Sequence, residues 1–365
     1  MKKFVTIAIH TIEKAEKLKQ ILSAEGIEIH LHQIDEDLKE PGIGVRVRVD
    51  IADLSKALHI IESRNIFSYS NKETLERDNL KKRILIPVDF SPHSMQACTF
   101  AFNLAKSIDA KVKIIHIYFN PFYPKSFIEQ EKDTKQYKDI EEKVKENIQR
   151  LCNDIDKKIQ AGDLPSVNYS YLIKEGLPEE EIVLFADDYK PDLIVMGTRG
   201  KNQKKGDLIG RVTANVIEMT HFPLMAIPEG TLFTDFKRIK NICFLSNSSA
   251  RDLISFEMMI RILEPFDINY IVMHVVTKEE ENWDEEKIKN IHFCFSSKYP
   301  DLKLNYKMLS TNDLLTGVDE YLQADKIDML ALTTSKRNIF MRMFKPSIPR
   351  KMLYHSSIPL FVLRG

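Results

Sequence analysis

From residue 82 onward, the chain contains the same series of sequence blocks twice. Each block is a short segment rich in apolar residues, and the blocks follow one another in the same order in both copies. The matched pairs are Lys82–Ser91 with Lys240–Ser249, Ile115–Ile117 with Met273–Val275, Asp192–Met196 with Asp328–Leu332, and Phe222–Ile227 with Ile358–Leu363. Matched blocks in a constant order indicate an internal repeat. We therefore predict two domains of related fold, at residues 82–230 and 237–365.

Within each copy, apolar segments of strand length alternate with segments of helical periodicity. Arg83–Val88 is typical of a parallel strand that is buried on both faces. Ser91 is expected to be the N-cap of the next helix, with Pro92 at the first helical position. Further strands of the first copy are expected at 113–118, 167–173, 192–196 and 224–227, and helices at 95–107, 127–160, 178–189 and 213–220. This alternation predicts an α/β fold in which helices cover both faces of an open, mostly parallel sheet.

The first 68 residues follow a different order of predicted elements. Strands are expected at 4–10, 27–33 and 44–50, and helices at 12–24 and 52–63. Gly26 should end the first helix, because glycine readily adopts the left-handed conformation that closes a helix. The order βαββα predicts a small ferredoxin-like α+β domain at 1–68, followed by a polar linker at 69–81. The pattern and the segment Leu22–Glu28 resemble a small βαββα family of prokaryotic signal-transducing proteins.

Composition excludes several classes of function. Lys+Arg and Asp+Glu both number 53, so the net charge is zero, which argues against general nucleic-acid binding. No apolar run approaches the roughly 20 residues that cross a bilayer, and charged residues follow the N-terminal apolar stretch too soon for a signal peptide. The four cysteines, Cys98, Cys152, Cys243 and Cys294, form no C-x-x-C pair. We expect buried free thiols in a cytoplasmic protein without membrane or nucleic-acid partners.

A glycine-rich stretch follows one of the predicted buried strands in the first copy. Gly197 and Gly200 are separated by two residues, and nine more residues precede Gly210. A loop that leaves the carboxyl end of a strand and enters a helix can hold phosphate on bare backbone and helix N–H groups. Asp89, at the end of another strand, could accept hydrogen bonds from ribose or hold Mg²⁺. The alternative is that these glycines only form turns.

The motif resembles the ATP-binding signature of the universal stress protein family. Ile86–Ser91 resembles that family's first strand, His116–Ile117 its second, and Phe222–Pro228 its last. The resemblance covers the whole first copy and the second in outline. It implies two tandem open sheets of the adenine-nucleotide-hydrolase-like type, preceded by the small βαββα domain. It also implies a regulatory protein that binds ATP, AMP or ADP, with or without Mg²⁺, and that hydrolyses ATP slowly or not at all.

The resemblance assigns nucleotide contacts to individual residues. Asp89 would face the ribose and Ile117 the adenine. The full set of expected nucleotide-binding residues is Pro87, Val88, Asp89, Ile117, Met196, Gly197, Gly200, Gly210, Arg211, Val212 and Thr213. Arg211 departs from the family pattern, which has Ser or Thr after the last glycine. Its guanidinium could pair with phosphate or point to solvent. No residue is assigned a catalytic role, and no metal ligand is assigned beyond Asp89 through Mg²⁺.

The second copy lacks the nucleotide motif. The aligned positions hold Thr333, Lys336 and Pro346 in place of the glycines, and Asn247 in place of the aspartate. Proline removes an N–H and fixes φ, so a phosphate nest is not expected there. The same segment is basic, with Lys336, Arg337, Arg342, Lys345, Arg350 and Lys351. It is interpreted either as a solvated face or as a surface for an acidic partner.

Two alternatives to the nucleotide-binding regulator remain. The first is an adaptor that binds an unknown protein partner without nucleotide, through the second copy or the N-terminal domain. The second is an enzyme of the related adenine-nucleotide hydrolases, at most a weak ATP hydrolase, although no general base stands out. In each case the repeats are expected to form an internal pseudo-dimer by pairing Leu224–Ile227 with Leu360–Leu363, which leaves a homodimer open. His116 and His274, at matching strand ends, are interpreted as structural.

Overall fold

The computed structural model describes most of the chain in separate segments. The described residues are 4–10, 12–33, 45–63, 81–119, 135–198, 211–231, 235–246, 250–276, 295, 297–334 and 358–364. They divide into two compact units, Met1–Phe90 with Ala101–Ile182, and Ser91–Phe100 with Val183–Gly365. No helix in the described segments has the length and apolar character that a bilayer span requires. Cys98, Cys152 and Cys243 are buried thiols outside any disulfide, as expected.

The first unit contains a mixed sheet with the strand order β4-β5-β6-β1-β3-β2. Its strands are β1 (Phe4–His10), β2 (Ile29–Gln33), β3 (Val45–Asp50), β4 (Arg83–Val88), β5 (Lys111–Tyr118) and β6 (Tyr169–Glu175). Its helices are α1 (Ile12–Ala24), α2 (Leu54–Ser63), the second half of α3 (Pro92–Ser107), α4 (Lys135–Gln160) and the start of α5 (Pro178–Tyr189). Strands β4, β5 and β6 are parallel, as expected when helices connect successive strands.

The N-terminal elements confirm the predicted βαββα order. Helix α1 ends in two bonds of a Schellman motif, Gly26 N–H to Ser23 O and Ile27 N–H to Leu22 O. Gly26 has φ +78°, a conformation that residues with a Cβ rarely adopt. Ile27 is part of this cap, so β2 begins two residues later than expected, at Ile29.

Strand β1 also pairs with β6, which the sequence did not predict. The pairing is antiparallel and joins Ala8 to Ser170 and Ile9 to Tyr169. β6 would otherwise present a row of unpaired backbone groups at the edge of the parallel strands. The N-terminal segment therefore continues the sheet of the first unit.

The second unit contains a sheet with the strand order β11-β10-β9-β12-β13-β8-β7. Its strands are β7 (Leu193–Thr198), β8 (Leu224–Pro228), β9 (Asn241–Leu245), β10 (Asn269–Val276), β11 (Lys303–Ser310), β12 (Met329–Thr334) and β13 (Leu360–Arg364). Its helices are the first part of α3, the end of α5, α6 (Arg211–Met219), α7 (Ala250–Leu263) and α8 (Leu314–Ala324). Most pairs are parallel, and β13 pairs antiparallel with β8.

The β13–β8 pair confirms the expected pairing of the last strands. Leu360 lies opposite Ala226, Phe361 opposite Met225, and Val362 opposite Leu224. The first copy has the order β4-α3-β5-α4-β6-α5-β7-α6-β8. The described elements of the second copy follow the same order, β9-α7-β10-β11-α8-β12-β13, and the positions that would correspond to α4 and α6 lie mostly outside the described residues. Three predicted parts lie outside the described residues: the start of the long helix at 127–134, the linker up to residue 80, and the basic segment within 335–357.

Candidate functional site

The carboxyl end of β4 carries the first group of expected nucleotide-binding residues. Pro87 and Val88 are buried in the strand, and the exposed Asp89 follows directly. Val88 O accepts a 2.7 Å hydrogen bond from Nδ1 of the buried His116 on β5. Burial lowers the pKa of His116, while this hydrogen bond and the charge of Asp89 raise it to a lesser extent. Desolvation therefore favours a neutral imidazole that fixes the backbone just before Asp89.

Phe90 forms the turn that follows Asp89. Its φ of +63° lies in the left-handed region, which is uncommon for a residue with a large side chain. Its ring centroid lies 4.3 Å from that of His116, so the imidazole is covered on this side. Strain of this kind persists where surrounding contacts over-determine the conformation and often marks functional turns.

Ile117 is the second-to-last residue of β5, the strand that pairs with β4. It is buried and lies opposite Lys174 of β6. It is therefore placed at the carboxyl edge of the parallel strands of the first unit, where ligands bind in open α/β sheets.

Gly197 lies inside strand β7 rather than in a loop. The strand continues through Gly197 to Thr198, two residues beyond the expected end at Met196. An added Cβ at Gly197 would lie 2.5 Å from His93 O and 2.8 Å from Ser94 N, in the first turn of α3. Glycine at this position is thus required by close backbone packing, a reason that does not involve a phosphate.

The two ends of the glycine-rich segment are joined by a side chain. Thr213 Oγ1 on the first turn of α6 donates a 3.0 Å hydrogen bond to Gly197 O. Thr213 is buried, whereas Arg211 is the exposed first residue of α6 and Val212 is half-buried. Gly200 and Gly210 lie outside the described residues. This hydrogen bond holds the end of β7, where the segment begins, close to the N-terminus of α6, where it ends.

This arrangement is suited to an anion. A helix N-terminus has unpaired N–H groups and the positive end of the helix dipole. The described residues contain no group of three or more His, Cys, Asp or Glu side chains that could hold a metal ion. Asp89 could contribute a carboxylate to Mg²⁺ only with the help of ligand oxygens or water.

The second copy retains the histidine contact but changes its surroundings. His274 Nδ1 lies 2.8 Å from Ser246 O, at the same sequence separation of 28 residues. Ser246 Oγ donates to Oδ2 of the buried Asp252 at 3.3 Å, which places a carboxylate near the start of α7. A carboxylate at this position opposes the binding of an anion.

Sequence reasoning missed His93 and Ser94, whose backbone packs on Gly197. No local pattern could have identified them, because the contact depends on how α3 packs on the sheet. The structural role of His116 could be inferred from the sequence, because a matching histidine follows the first strand of both copies at the same spacing.

The comparisons with known proteins agree with this architecture. The model of the universal stress protein family matches residues 81–228. A universal stress protein of Methanocaldococcus jannaschii is 35% identical over 151 residues, which cover 41% of this chain and 84% of that protein. A second one from the same organism is 36% identical over 82 residues, or 22% of this chain and 44% of that protein.

The likeness of fold extends beyond the matched domain. The crystal structure of a universal stress protein from Archaeoglobus fulgidus has a TM-score of 0.61 and 15% identity. The alignment covers 78% of this chain and 99% of that one. At this identity the match shows the fold alone. The family model and the 35% identical relative show that the chain belongs to the universal stress protein family.

Proposed function

We propose that the chain is a stress-response regulatory protein that binds an adenine nucleotide, ATP in the first instance, at its first copy. The observation that carries the proposal is the hydrogen bond from Thr213 Oγ1 to Gly197 O. It joins the strand before the glycine-rich segment to the first turn of α6, so the helix N–H groups and the end of β7 are held ready for phosphate. A pre-formed anion site costs less ordering when the ligand binds.

The remaining contacts follow the family resemblance. Asp89 is exposed, and the carbonyl before it is held by His116. The resemblance assigns the Asp89 carboxylate to the ribose hydroxyls. Ile117 supplies apolar surface for adenine. Pro87, Val88, Met196, Arg211 and Val212 complete the proposed set with Gly200 and Gly210. Mg²⁺, where bound, would be shared between phosphate oxygens and Asp89.

The proposed role is regulation by occupancy rather than rapid catalysis. The imidazole of His116, near the end of β5, is engaged with Val88 O through Nδ1 and holds the backbone before Asp89. A nucleotide that binds only the folded state stabilises it by mass action, by about 2.7 kcal/mol at a concentration one hundred times Kd. This stabilisation can report nucleotide level to a protein partner.

Native mass spectrometry of the purified protein, followed by calorimetry with ATP, ADP, AMP and cAMP, tests the proposal. We expect one nucleotide per chain and a rise in melting temperature with nucleotide concentration. If no adenine nucleotide binds at millimolar concentration, the proposal fails and the adaptor function takes its place. Steady ATP turnover faster than a few per minute would instead favour a hydrolase.

Variants separate the two copies in the same assay. Gly200→Val should abolish binding because its side chain occupies the phosphate path, and Asp89→Ala should abolish it because the ribose loses its acceptor. Lys336→Ala, in the aligned segment of the second copy, is the matched control and should leave binding unchanged. Loss of binding in the Lys336 variant would place the nucleotide in the second copy.

A further inference from the structure

The last strand of the second copy ends in a half-buried arginine. Arg364 is the final residue of β13, and the four residues before it in the strand are buried and apolar. Its Nη2 donates hydrogen bonds of 3.0 Å to Ile217 O and 3.1 Å to Glu218 O. Both carbonyls belong to α6, the helix that follows the glycine-rich segment of the first copy. A side chain of the second copy therefore holds a helix of the first.

The pairing of β13 with β8 explains why Arg364 reaches α6. The two strands are antiparallel, and their last pair joins Val362 to Leu224, the first residue of β8. Arg364 lies two residues beyond this pair, on the side where the chain enters β8 from α6. The helix, the two strands and the arginine all lie in the second unit.

The contacts of Arg364 satisfy the carboxyl-terminal end of α6. The last carbonyls of a helix have no partner within the helix, and they form the negative end of its dipole. Val216 O accepts from Thr220 N–H at 2.8 Å, and the next two carbonyls are those that Arg364 binds. Burial lowers the pKa of Arg364 to about 10, while the charge of Glu218 acts in the opposite direction. Arg364 is therefore a cation near pH 7, and a cation stabilises this end of a helix.

An arginine at this position has a cost for the fold. Its Nε and Nη1 are buried and have no hydrogen-bond partner among the described residues. A buried donor without an acceptor lowers the stability of the folded state. The aligned residue of the first copy is Pro228, which is buried and has no side-chain donor. The arginine thus serves the copy that keeps the glycine-rich segment, and a residue that costs stability in this way is expected to have a functional use.

We infer that Arg364 is a positioning residue for the phosphate-binding end of the nucleotide site. The inference rests on the proposed function and gives the second copy a role in it. Helix α6 has 9 residues and is held at both ends, by Thr213 on Gly197 O and by Arg364 on its last carbonyls. Because a helix this short has little stability of its own, its orientation depends on such contacts. The second copy thereby keeps the N–H groups of the first turn of α6 in the orientation that binds phosphate.

Calorimetry with ATP and inorganic tripolyphosphate tests this role at a temperature where circular dichroism shows each variant to be fully folded. Arg364→Ala should weaken the binding of both probes about fivefold, the ratio that corresponds to one ordinary hydrogen bond. Arg364→Lys should recover part of the affinity, because it keeps a cation at the end of α6. Arg261→Ala removes an exposed arginine from the last turn of α7 and is the matched control without effect. A purely structural arginine would change the melting temperature and leave both affinities of the folded protein unchanged.

Hydrogen exchange shows whether the effect passes through α6. In Arg364→Ala, peptides that cover α6 should exchange faster than in wild type, and peptides that cover α8 should not. Weaker binding without faster exchange in α6 would overturn the inference, and so would equal affinities of folded wild type and Arg364→Ala, while the proposed function stands in both cases. If wild-type protein binds neither probe, both are overturned.

Two further variants decide the matter if Arg364→Ala does not fold. Arg364→Lys keeps the positive charge at the end of α6, whereas Arg364→Gln keeps only a neutral donor. The lysine variant should therefore bind tripolyphosphate more tightly than the glutamine variant. Equal affinities of these two variants and wild type would overturn the inference.

Discussion

The two copies share a backbone device and differ in the chemistry built on it. In each copy a histidine near the end of the second strand bonds the carbonyl at the end of the first, His116 to Val88 O and His274 to Ser246 O. The residue that follows the carbonyl is Asp89 in the first copy and Asn247 in the second. The two copies therefore share the geometry of the strand ends although the residues available to a ligand differ.

The two copies also differ at the first glycine position of the motif, Gly197 in the first copy and Thr333 in the second. At Gly197 the backbone of α3 approaches so closely that a Cβ would collide with His93 O. The aligned Thr333 has a side chain, and its Oγ1 is buried without a hydrogen-bond partner. Helix α7 therefore packs against β12 in a place where a side chain is accommodated. Part of the glycine motif is thus a packing requirement of the first copy.

The largest expected effect follows from this difference. Gly197→Ala should lower the free energy of unfolding by about 1–3 kcal/mol, because the contacted atoms belong to backbone that cannot move aside easily. Thr333→Ala should change it by less than about 0.5 kcal/mol, because the hydroxyl that is removed makes no hydrogen bond. Urea denaturation of both variants and of the wild type measures these changes in the free energy of unfolding. Equal stabilities would show that the close approach of α3 imposes no requirement at Gly197.

The sequence predicted many of the strands and helices well, because the local signals agreed with the fold. The bounds of β1 and α1 were predicted to the residue, and Ser91 caps α3 through Ser94 N–H at 3.4 Å. β6 was placed two residues too early, at 167–173, because Val167 is buried but precedes the strand. Local apolar content cannot distinguish a buried residue in a strand from one just before it.

Contacts between distant segments could not be predicted from the sequence. Nothing local indicates that β1 adds to β6, since the pairing uses only two residues of each strand. The sequence predicted the residue types of the site and their spacing. The structure adds two hydrogen bonds that hold the backbone there, from Thr213 to Gly197 O and from His116 to Val88 O.

A reciprocal exchange tests whether Asp89 alone separates the copies. Asp89→Asn should weaken ATP binding about tenfold, because a charge-assisted hydrogen bond to ribose becomes a neutral one. Asn247→Asp should create no second site, because Thr333, Lys336 and Pro346 still occupy the glycine positions. Calorimetry measures the affinity of Asp89→Asn and the number of nucleotides bound per chain in Asn247→Asp. A second bound nucleotide in the Asn247→Asp variant would show that the other substitutions do not prevent binding.

Acid should destabilise the protein partly through His116. Burial lowers its pKa in the folded state, so the unfolded chain binds a proton more readily. This contribution is fully present above the unfolded pKa, about 6.5, and is lost as the pH falls towards the lowered folded value. In His116→Asn, the fall in unfolding free energy between about pH 7.5 and pH 5 should be smaller than in wild type. An unchanged difference between the two pH values would contradict a buried neutral imidazole.

The smallest effect concerns the N-cap of α8, Asp313, whose Oδ1 accepts from Thr316 N–H at 2.8 Å. Asp313→Ala should lower the free energy of unfolding by about 1 kcal/mol, because Thr316 N–H loses its acceptor. Asn312→Ala, on the exposed neighbouring residue, should change it by less than about 0.5 kcal/mol. Thermal and urea denaturation measure both variants. If the two are equal, the cap contributes nothing to α8.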